Sequence, residues 1–176
     1  MKDIELRLIS ELLKNSRKSD RELSKVLNVS QPTVSRALAK LKKEGFIRRY
    51  TILPDFAKLG YELLAITFVK LKFAYLEEER KNIRKAVEDA VEQSKFGIVM
   101  LERGIGLNSD ACIISIYRDY SEYAEHKEVI KRFPFTDMTK TETFLIDLKD
   151  SVRYRPLSFD IIAMQLIERK KRANLT

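Results

Sequence analysis

Residues 30–50 read SQPTVSRALAKLKKEGFIRRY, and the way this stretch divides its side chains decides the reading of everything around it. Ser30 is placed as an N-cap, its side-chain oxygen accepting from a free N–H of the first turn. Pro32 then falls in that turn, where a missing N–H costs nothing. Val29 just before the cap and Val34 four places into the helix have the spacing of a hydrophobic staple. At about 100° per residue, Val34, Ala37, Leu38 and Leu41 form one apolar stripe. Pro32, Ser35, Arg36, Ala39, Lys40 and Lys43 lie opposite, flanked by Gln31 and Thr33. The stripe is core. The other face is small at its front and cationic behind.

Working outward toward the N-terminus, Ser19-Asp20-Arg21-Glu22 fits a capping box. Leu23, Val26 and Leu27 follow as one apolar face, and Asn28 tolerates the left-handed conformation that a tight turn needs. A short helix, a turn and the quoted helix therefore run in sequence, with helix-turn-helix spacing. Ile4, Leu8, Ile9, Leu12 and Leu13 predict a third helix to complete the core. Toward the C-terminus, Gly45 stops the quoted helix. Residues 46–53 read as a strand, with Pro54-Asp55 as its turn: a wing carrying Arg48 and Arg49.

Three short helices and a hairpin also occur in protein-binding domains, and a basic helix face is often only solvated. Here cap, staple, turn, small-residue front and basic wing agree, and double-stranded DNA is the expected partner. Gln31, Thr33, Ser35 and Arg36 can reach base edges beside Pro32. Lys40, Lys43, Arg48 and Arg49 are placed to hold phosphates.

The charge balance supports that partner. The net charge is +8, unevenly spread. Residues 1–60 hold 14 basic and 7 acidic side chains, residues 61–150 hold 14 and 17, and residues 151–176 hold 6 and 2. The cationic field coincides with the helix-turn-helix, where an anionic polymer fits. The 176 residues suffice for one or two domains. No stretch approaches the roughly 18 apolar residues of a membrane span, no helix pairs a basic face with a bulky aromatic one, and Lys2-Asp3-Ile4-Glu5 leads into an amphipathic helix rather than a signal peptide. Cys112, the single cysteine, lies in an apolar run and reads as buried and inert. The cytoplasm is the expected compartment. Abundant charge, five glycines, five asparagines and three glutamines resemble thermophile composition.

After Lys58-Leu59-Gly60 the periodicity changes. Residues 61–73 read as a strand. Residues 76–95 read as a helix with Ile83, Val87 and Val91 on one face, joined by Ala86 and Ala90. Residues 96–102 and 111–117 read as two strands linked by RGIGLNSD at 103–110. Asp119 caps a second helix with Tyr123, Ile130 and Phe133 inward, and residues 142–148 close as a fourth strand. This β-α-β-β-α-β order is ferredoxin-like, with both helices on one face of an antiparallel sheet. FGIVML, ACIISIY and TFLIDL are apolar on both faces, so the second face needs a cover. The same face of a second copy predicts a homodimer, open to higher assembly; the chain's own C-terminal segment is the alternative cover. Residues 158–174 look helical and apolar over a wide arc, ending in the basic tail Arg169-Lys170-Lys171-Arg172. A docking helix with a solvated end is the plain reading, an extra phosphate contact the sharper one. The fold class expected is thus α+β: a winged helix-turn-helix domain at 1–60, a ferredoxin-like sensing and dimerisation domain at 61–150, and a C-terminal helical extension at 151–176.

The stretch ELLKNSRKSDRELSKVLNVSQPTVSRALAKLKKEGFIRRYTILPDFAKLGY resembles the Lrp/AsnC (feast/famine) family of transcription regulators. The likeness covers about sixty residues closely. The second half is similar in element order, and KTETFLIDL resembles the family's closing T-x-T-x-L-x-L pattern. The resemblance implies a small-molecule effector, often an amino acid, held between paired sensing domains. By position it assigns Gly104 or Gly106 and Asp110 to that site, although the glycine-to-aspartate spacing is stretched here to GIGLNSD.

Two rival functions remain. Some haem-pathway decarboxylases resemble this family in fold and rely on histidines. The single His126 sits among Glu125, Lys127 and Glu128 and reads as a solvated helix-surface residue. One His and one Cys cannot make a zinc site, and no catalytic triad, phosphate loop or dinucleotide fingerprint is found. No enzyme activity, cofactor or metal is expected. An architectural protein that packages DNA without sequence choice would use its cations on phosphate alone.

Overall fold

The computed structural model describes residues 1–71, 77–133, 136–152 and 154–173. The expected strand end at Lys72-Phe73, the helix start at Leu76, the helix end at Asn174 and the side chains of the Arg169 to Arg172 tail lie outside what is described. In chain order the elements are α1 (Asp3–Lys14), α2 (Asp20–Leu27), α3 (Gln31–Lys43), β1 (Leu63–Leu71), α4 (Glu77–Glu92), β2 (Gly97–Gly106), β3 (Ser109–Tyr117), α5 (Tyr120–Arg132), β4 (Thr136–Asp147) and α6 (Asp160–Ala173). They form two compact units, Met1–Leu53 with Arg153–Thr176, and Pro54–Val152.

The first unit is helical. Leu8, Leu23, Leu27, Val34, Ala37 and Leu41 make its buried core, with Ile4, Ile9, Leu12, Val29, Leu38 and Ile47 packed against it. Each fully buried leucine contributes about 1.5–3 kcal/mol relative to an exposed one. Val26, expected on the inner face of α2, is instead 51% exposed. α2 buries Leu23, Ser24 and Leu27, and at about 100° per residue Val26 falls outside the arc they span. α1 carries a second stripe. Leu6, Ser10 and Leu13 are half-buried or buried on the side away from Leu8, and α6 packs along α1. Ser10 Oγ donates to the carbonyl of Ala163 at 2.8 Å, both residues being buried. The C-terminal stretch, read from sequence as an extension of its own, thus clusters with the helix-turn-helix.

The expected strand at 46–53 is not formed. The segment has no ladder partner among the described residues, and a strand exists only when its N–H and C=O groups are paired. It is held by single bonds instead, Ile47 N–H to the Leu41 carbonyl at 3.2 Å and Ser16 Oγ to the Thr51 carbonyl at 3.2 Å.

The second unit is a four-stranded antiparallel sheet in the order β2-β3-β1-β4. The ferredoxin-like α+β expectation holds, and the strands are longer than expected at β2 and β4. Residues 103–110 are not a loop: β2 runs through Gly106 and β3 begins at Ser109. Only Leu107 and Asn108 turn the chain, with φ of 50° and 52°, the double positive φ of a two-residue hairpin turn. Along β1 burial alternates. Ala65, Thr67 and Val69 are buried, while Leu64, Ile66 and Phe68 on the other face are half-buried. The buried face carries the core of Ala65, Phe96, Tyr117 and Tyr123, and α5 packs on β3 and β4. Gly97 lies so close to β3 that an added Cβ would meet the Ile116 carbonyl oxygen at 2.7 Å. In α4, Ile83, Ala86, Val87 and Val91 are half-buried and Ala90 is exposed.

Candidate nucleic-acid interface

α2 is capped as its sequence dictates. Ser19 Oγ accepts from Glu22 N–H at 3.3 Å, and the Glu22 carboxylate accepts from Ser19 N–H at 2.7 Å. Asn28 ends it in the left-handed region at φ 55°, ψ 52°, and three residues later α3 begins. Ser30 is the N-cap residue of α3, but its hydroxyl caps nothing. It pairs with Thr33 Oγ1 at 2.9 Å, while its carbonyl accepts from Thr33 and Val34 N–H. With Pro32 in the first turn there is one fewer donor there to satisfy. Gly45, at φ 76°, closes the helix in the left-handed conformation glycine permits.

The stripe of Val34, Ala37 and Leu41 is buried, with Leu38 half-buried. Gln31, Pro32, Ser35, Arg36, Ala39, Lys40 and Lys43 are exposed, and Thr33 is half-buried. Arg48 and Arg49 are exposed on the segment that follows. Four of these expected contact residues, Thr33, Ser35, Arg36 and Lys40, are already engaged. Lys40 Nζ lies 2.7 Å from Glu5 Oε1 and 3.7 Å from Glu44 Oε1. Glu5 is 3% exposed, and its other oxygen accepts from Lys2 N–H at 2.6 Å. The Lys40 ammonium, helped by that backbone N–H, holds the Glu5 carboxyl below its ordinary value, and Glu5 in turn raises Lys40. Ser35 Oγ donates to the Asp20 carboxylate. Arg36 Nε reaches back to the Pro32 carbonyl at 3.2 Å, and Lys42 Nζ lies 4.9 Å from the centre of the Tyr50 ring. Sequence reasoning missed Glu5 and Asp20 because their partners stand 35 and 15 residues away. The unit holds 19 basic and 8 acidic side chains, against 15 and 18 in the sheet unit.

The residues expected at an effector site fall along the β2–β3 hairpin. Gly104 and Gly106 are exposed in β2, and Gly106 pairs with Ser109. Asp110, in β3, is already engaged: its carboxylate accepts from Leu71 N–H at 3.0 Å and lies 3.1 Å from Lys70 Nζ. The backbone N–H first, and then the ammonium, hold its carboxyl below the ordinary value. A small cleft does exist under α5, lined by Thr67, Tyr117, Tyr123, Lys127, Ile130, Thr141 and Thr143, with room for about one water.

His126 corrects the sequence reading. It is buried, not solvated; its Nδ1 is 2.6 Å from the Tyr117 hydroxyl and its ring stacks on Phe96 at 4.3 Å. Burial pushes its pKa down. Cys112 is half-buried rather than buried. Among the described residues, no three His, Cys, Asp or Glu side chains are grouped to hold a metal, and no helix is long and apolar enough to cross a membrane.

The family described as winged helix-turn-helix DNA-binding matches residues 1–48. The HTH-type transcriptional regulator PF2053 of Pyrococcus furiosus is 33% identical over 132 residues, 74% of this chain and 83% of its own length. PH0061 of Pyrococcus horikoshii, also named an HTH-type transcriptional regulator, is 44% identical over 69 residues; there the chain spans 39% of itself and about half, 46%, of the relative. Two solved structures share the fold. E. coli AsnC superposes with a TM-score of 0.66 at 20% identity, covering 89% of this chain and 97% of AsnC. The transcriptional regulator NMB0573 of Neisseria meningitidis, solved as its L-Met complex, gives 0.71 at 16% identity, covering 92% and 99%. With its helix-turn-helix, its ferredoxin-like sheet and these relatives, the chain belongs to the Lrp/AsnC family of HTH-type transcriptional regulators.

Proposed function

We propose that the protein is a dimeric, site-specific reader of duplex DNA that regulates transcription. The observation that carries this is the outward face of α3. It is fixed on a closed core, small and polar at its N-terminal end and cationic beyond, in the unit that holds the positive charge. Gln31, Pro32, Thr33, Ser35 and Arg36 meet the major groove. Lys43, Arg48 and Arg49 hold phosphates, and Lys40 does so only by leaving Glu5. The α6 helix supports α1 from behind and takes no part in reading. The setting is the cytoplasm, and the protein works by binding, not by catalysis.

Dimerisation completes the sheet unit. The face away from α5 carries Leu64, Ile66, Phe68 and Ile114, half-buried, and Phe144 and Ile146, exposed. The same face of a second copy covers it and sets two α3 helices on half-sites about 34 Å apart or a multiple of it. The protein's effector is an amino acid, the class to which the L-Met of the NMB0573 complex belongs. It would meet Gly104 and Gly106 and exchange its ammonium for that of Lys70 on Asp110.

The deciding experiment is an anisotropy titration at about 0.15 M salt, with the gene's own upstream region and a shuffled duplex as probes. A preference of roughly 10³ or more fits site-specific regulation. Equal, steeply salt-dependent binding to both favours an architectural protein, and no binding to either overturns the proposal.

A further inference from the structure

Besides the bond of Lys40 to Glu5, a second hydrogen bond ties the outward face of α3 to another helix. Ser35 Oγ donates to the carboxylate of Asp20, in the first turn of α2. Ser35 is exposed and Asp20 half-buried, so the pair lies at the surface of the helix-turn-helix, in line with Pro32 and Arg36 on either side of Ser35. The charge of Asp20 also reaches the Tyr50 hydroxyl, whose pKa is pushed up first by burial and then by that charge.

The direction of this bond matters to a reader of bases. A serine hydroxyl has one proton and two lone pairs and rotates to suit its partner. Against a major groove it can donate to guanine or thymine, or accept from cytosine or adenine. A carboxylate at neutral pH only accepts. Once the Ser35 proton is committed to Asp20, the serine oxygen offers only lone pairs to whatever lies in front of it. The negative charge behind it adds repulsion toward the O6, N7 and O4 acceptors of guanine and thymine and attraction toward an amino group.

We propose that Asp20 is a specificity-determining residue of the DNA interface, fixing Ser35 as an acceptor so that this part of α3 takes a base presenting an amino group, cytosine N4 or adenine N6. The inference rests on the reading of α3 as the major-groove helix. Asp20 acts through Ser35 and is a positioning residue; its place in the first turn of α2, favourable for an acid beside a helix N-terminus, is a separate, structural contribution.

The test uses the full chain, as wild type, Asp20→Asn and Ser35→Ala. Each is taken through binding-site selection from a randomised duplex pool, then titrated against four duplexes that differ at one base pair. The wild type should favour the amino-presenting base at one position by roughly tenfold. Asparagine can turn its amide to donate or accept, which frees the hydroxyl, so Asp20→Asn should bring that preference below about threefold. Other positions should hold, and non-specific binding should be unchanged or tighter, because a negative charge has been removed. Ser35→Ala should lose selectivity at the same position, and it carries the test should Asp20→Asn fail to fold. A purely structural role would weaken all positions together, and that outcome overturns the proposal, as does a profile unchanged in both variants. In those cases wild-type preference for a selected site remains, and DNA reading stands without Asp20. A wild type with no preference over shuffled DNA overturns both readings at once.

Discussion

The helical unit and the sheet unit are finished to different degrees. In the first, α1, α2 and α3 close a core on themselves, α6 covers the remaining stripe of α1, and the outward face of α3 is small, polar and cationic. In the second, α5 covers one face of the sheet and Phe144 on the other is 63% exposed. The difference separates two kinds of surface. A cationic face needs no partner for stability and waits for a polyanion, whereas an apolar sheet face is a standing cost until something covers it.

The sharpest way to break the comparison is at the closed core. Leu41 is fully buried at the meeting of the three helices, and Leu41→Ala should cost about 2–5 kcal/mol, read as a lowered urea midpoint by circular dichroism. A loss of less than about 1 kcal/mol would mean that the helical unit is not closed as described. On the sheet, Phe144→Lys places a charge on the open face without touching the Ala65, Phe96, Tyr117 and Tyr123 core. If that face is the dimer contact, light scattering should show dissociation at concentrations where the wild type is dimeric, a weakening of about 2 kcal/mol or more, as for a central apolar anchor. A dimer of unchanged strength would move the interface elsewhere. On the cationic face, Arg36→Ala should cost about 1–3 kcal/mol on a selected site and little on random DNA. Equal losses would reduce Arg36 to a phosphate contact.

How far the sequence could be read follows the same division. Ser19, Glu22, Asn28, Gly45 and Asp119 act within a turn of themselves, and each does what its type implies. The amphipathic stripe of α3 was equally plain. Contacts between residues far apart in the chain were not: nothing local marks Asp20 as the partner of Ser35 or Glu5 as that of Lys40. His126 misled because its neighbours Glu125, Lys127 and Glu128 are charged. Yet Tyr123, His126 and Ile130 share one helix face by spacing, and that periodicity was the better guide. The β2–β3 turn was hidden by its own chemistry, since leucine at positive φ is not a turn signal. The segment after α3 has the composition of a strand, but composition cannot supply the partner that makes one.

The smallest expected effect concerns the buried carboxylate behind α3. Glu5 bridges the start of α1 to Lys40, so it ties the recognition helix to α1, while Arg36 reaches back to Pro32 within α3 and Lys43 is exposed. Its carboxyl is held below the ordinary 4.5 by the Lys40 bond and then by Lys2 N–H. A group whose folded pKa is depressed stabilises the fold at pH above its unfolded value and loses that contribution as pH falls through the folded one. The wild type should therefore lose thermal stability from just below pH 4.5 downward more steeply than Glu5→Gln, which keeps the shape and cannot titrate. The glutamine variant should start lower at neutral pH, because Lys40 then faces a neutral amide, and the two melting curves should converge in acid. Parallel curves across that range would show that Glu5 contributes through packing alone. Freed from Glu5, Lys40 becomes available to phosphate, so the same variant should bind random DNA somewhat more tightly, with a steeper salt dependence.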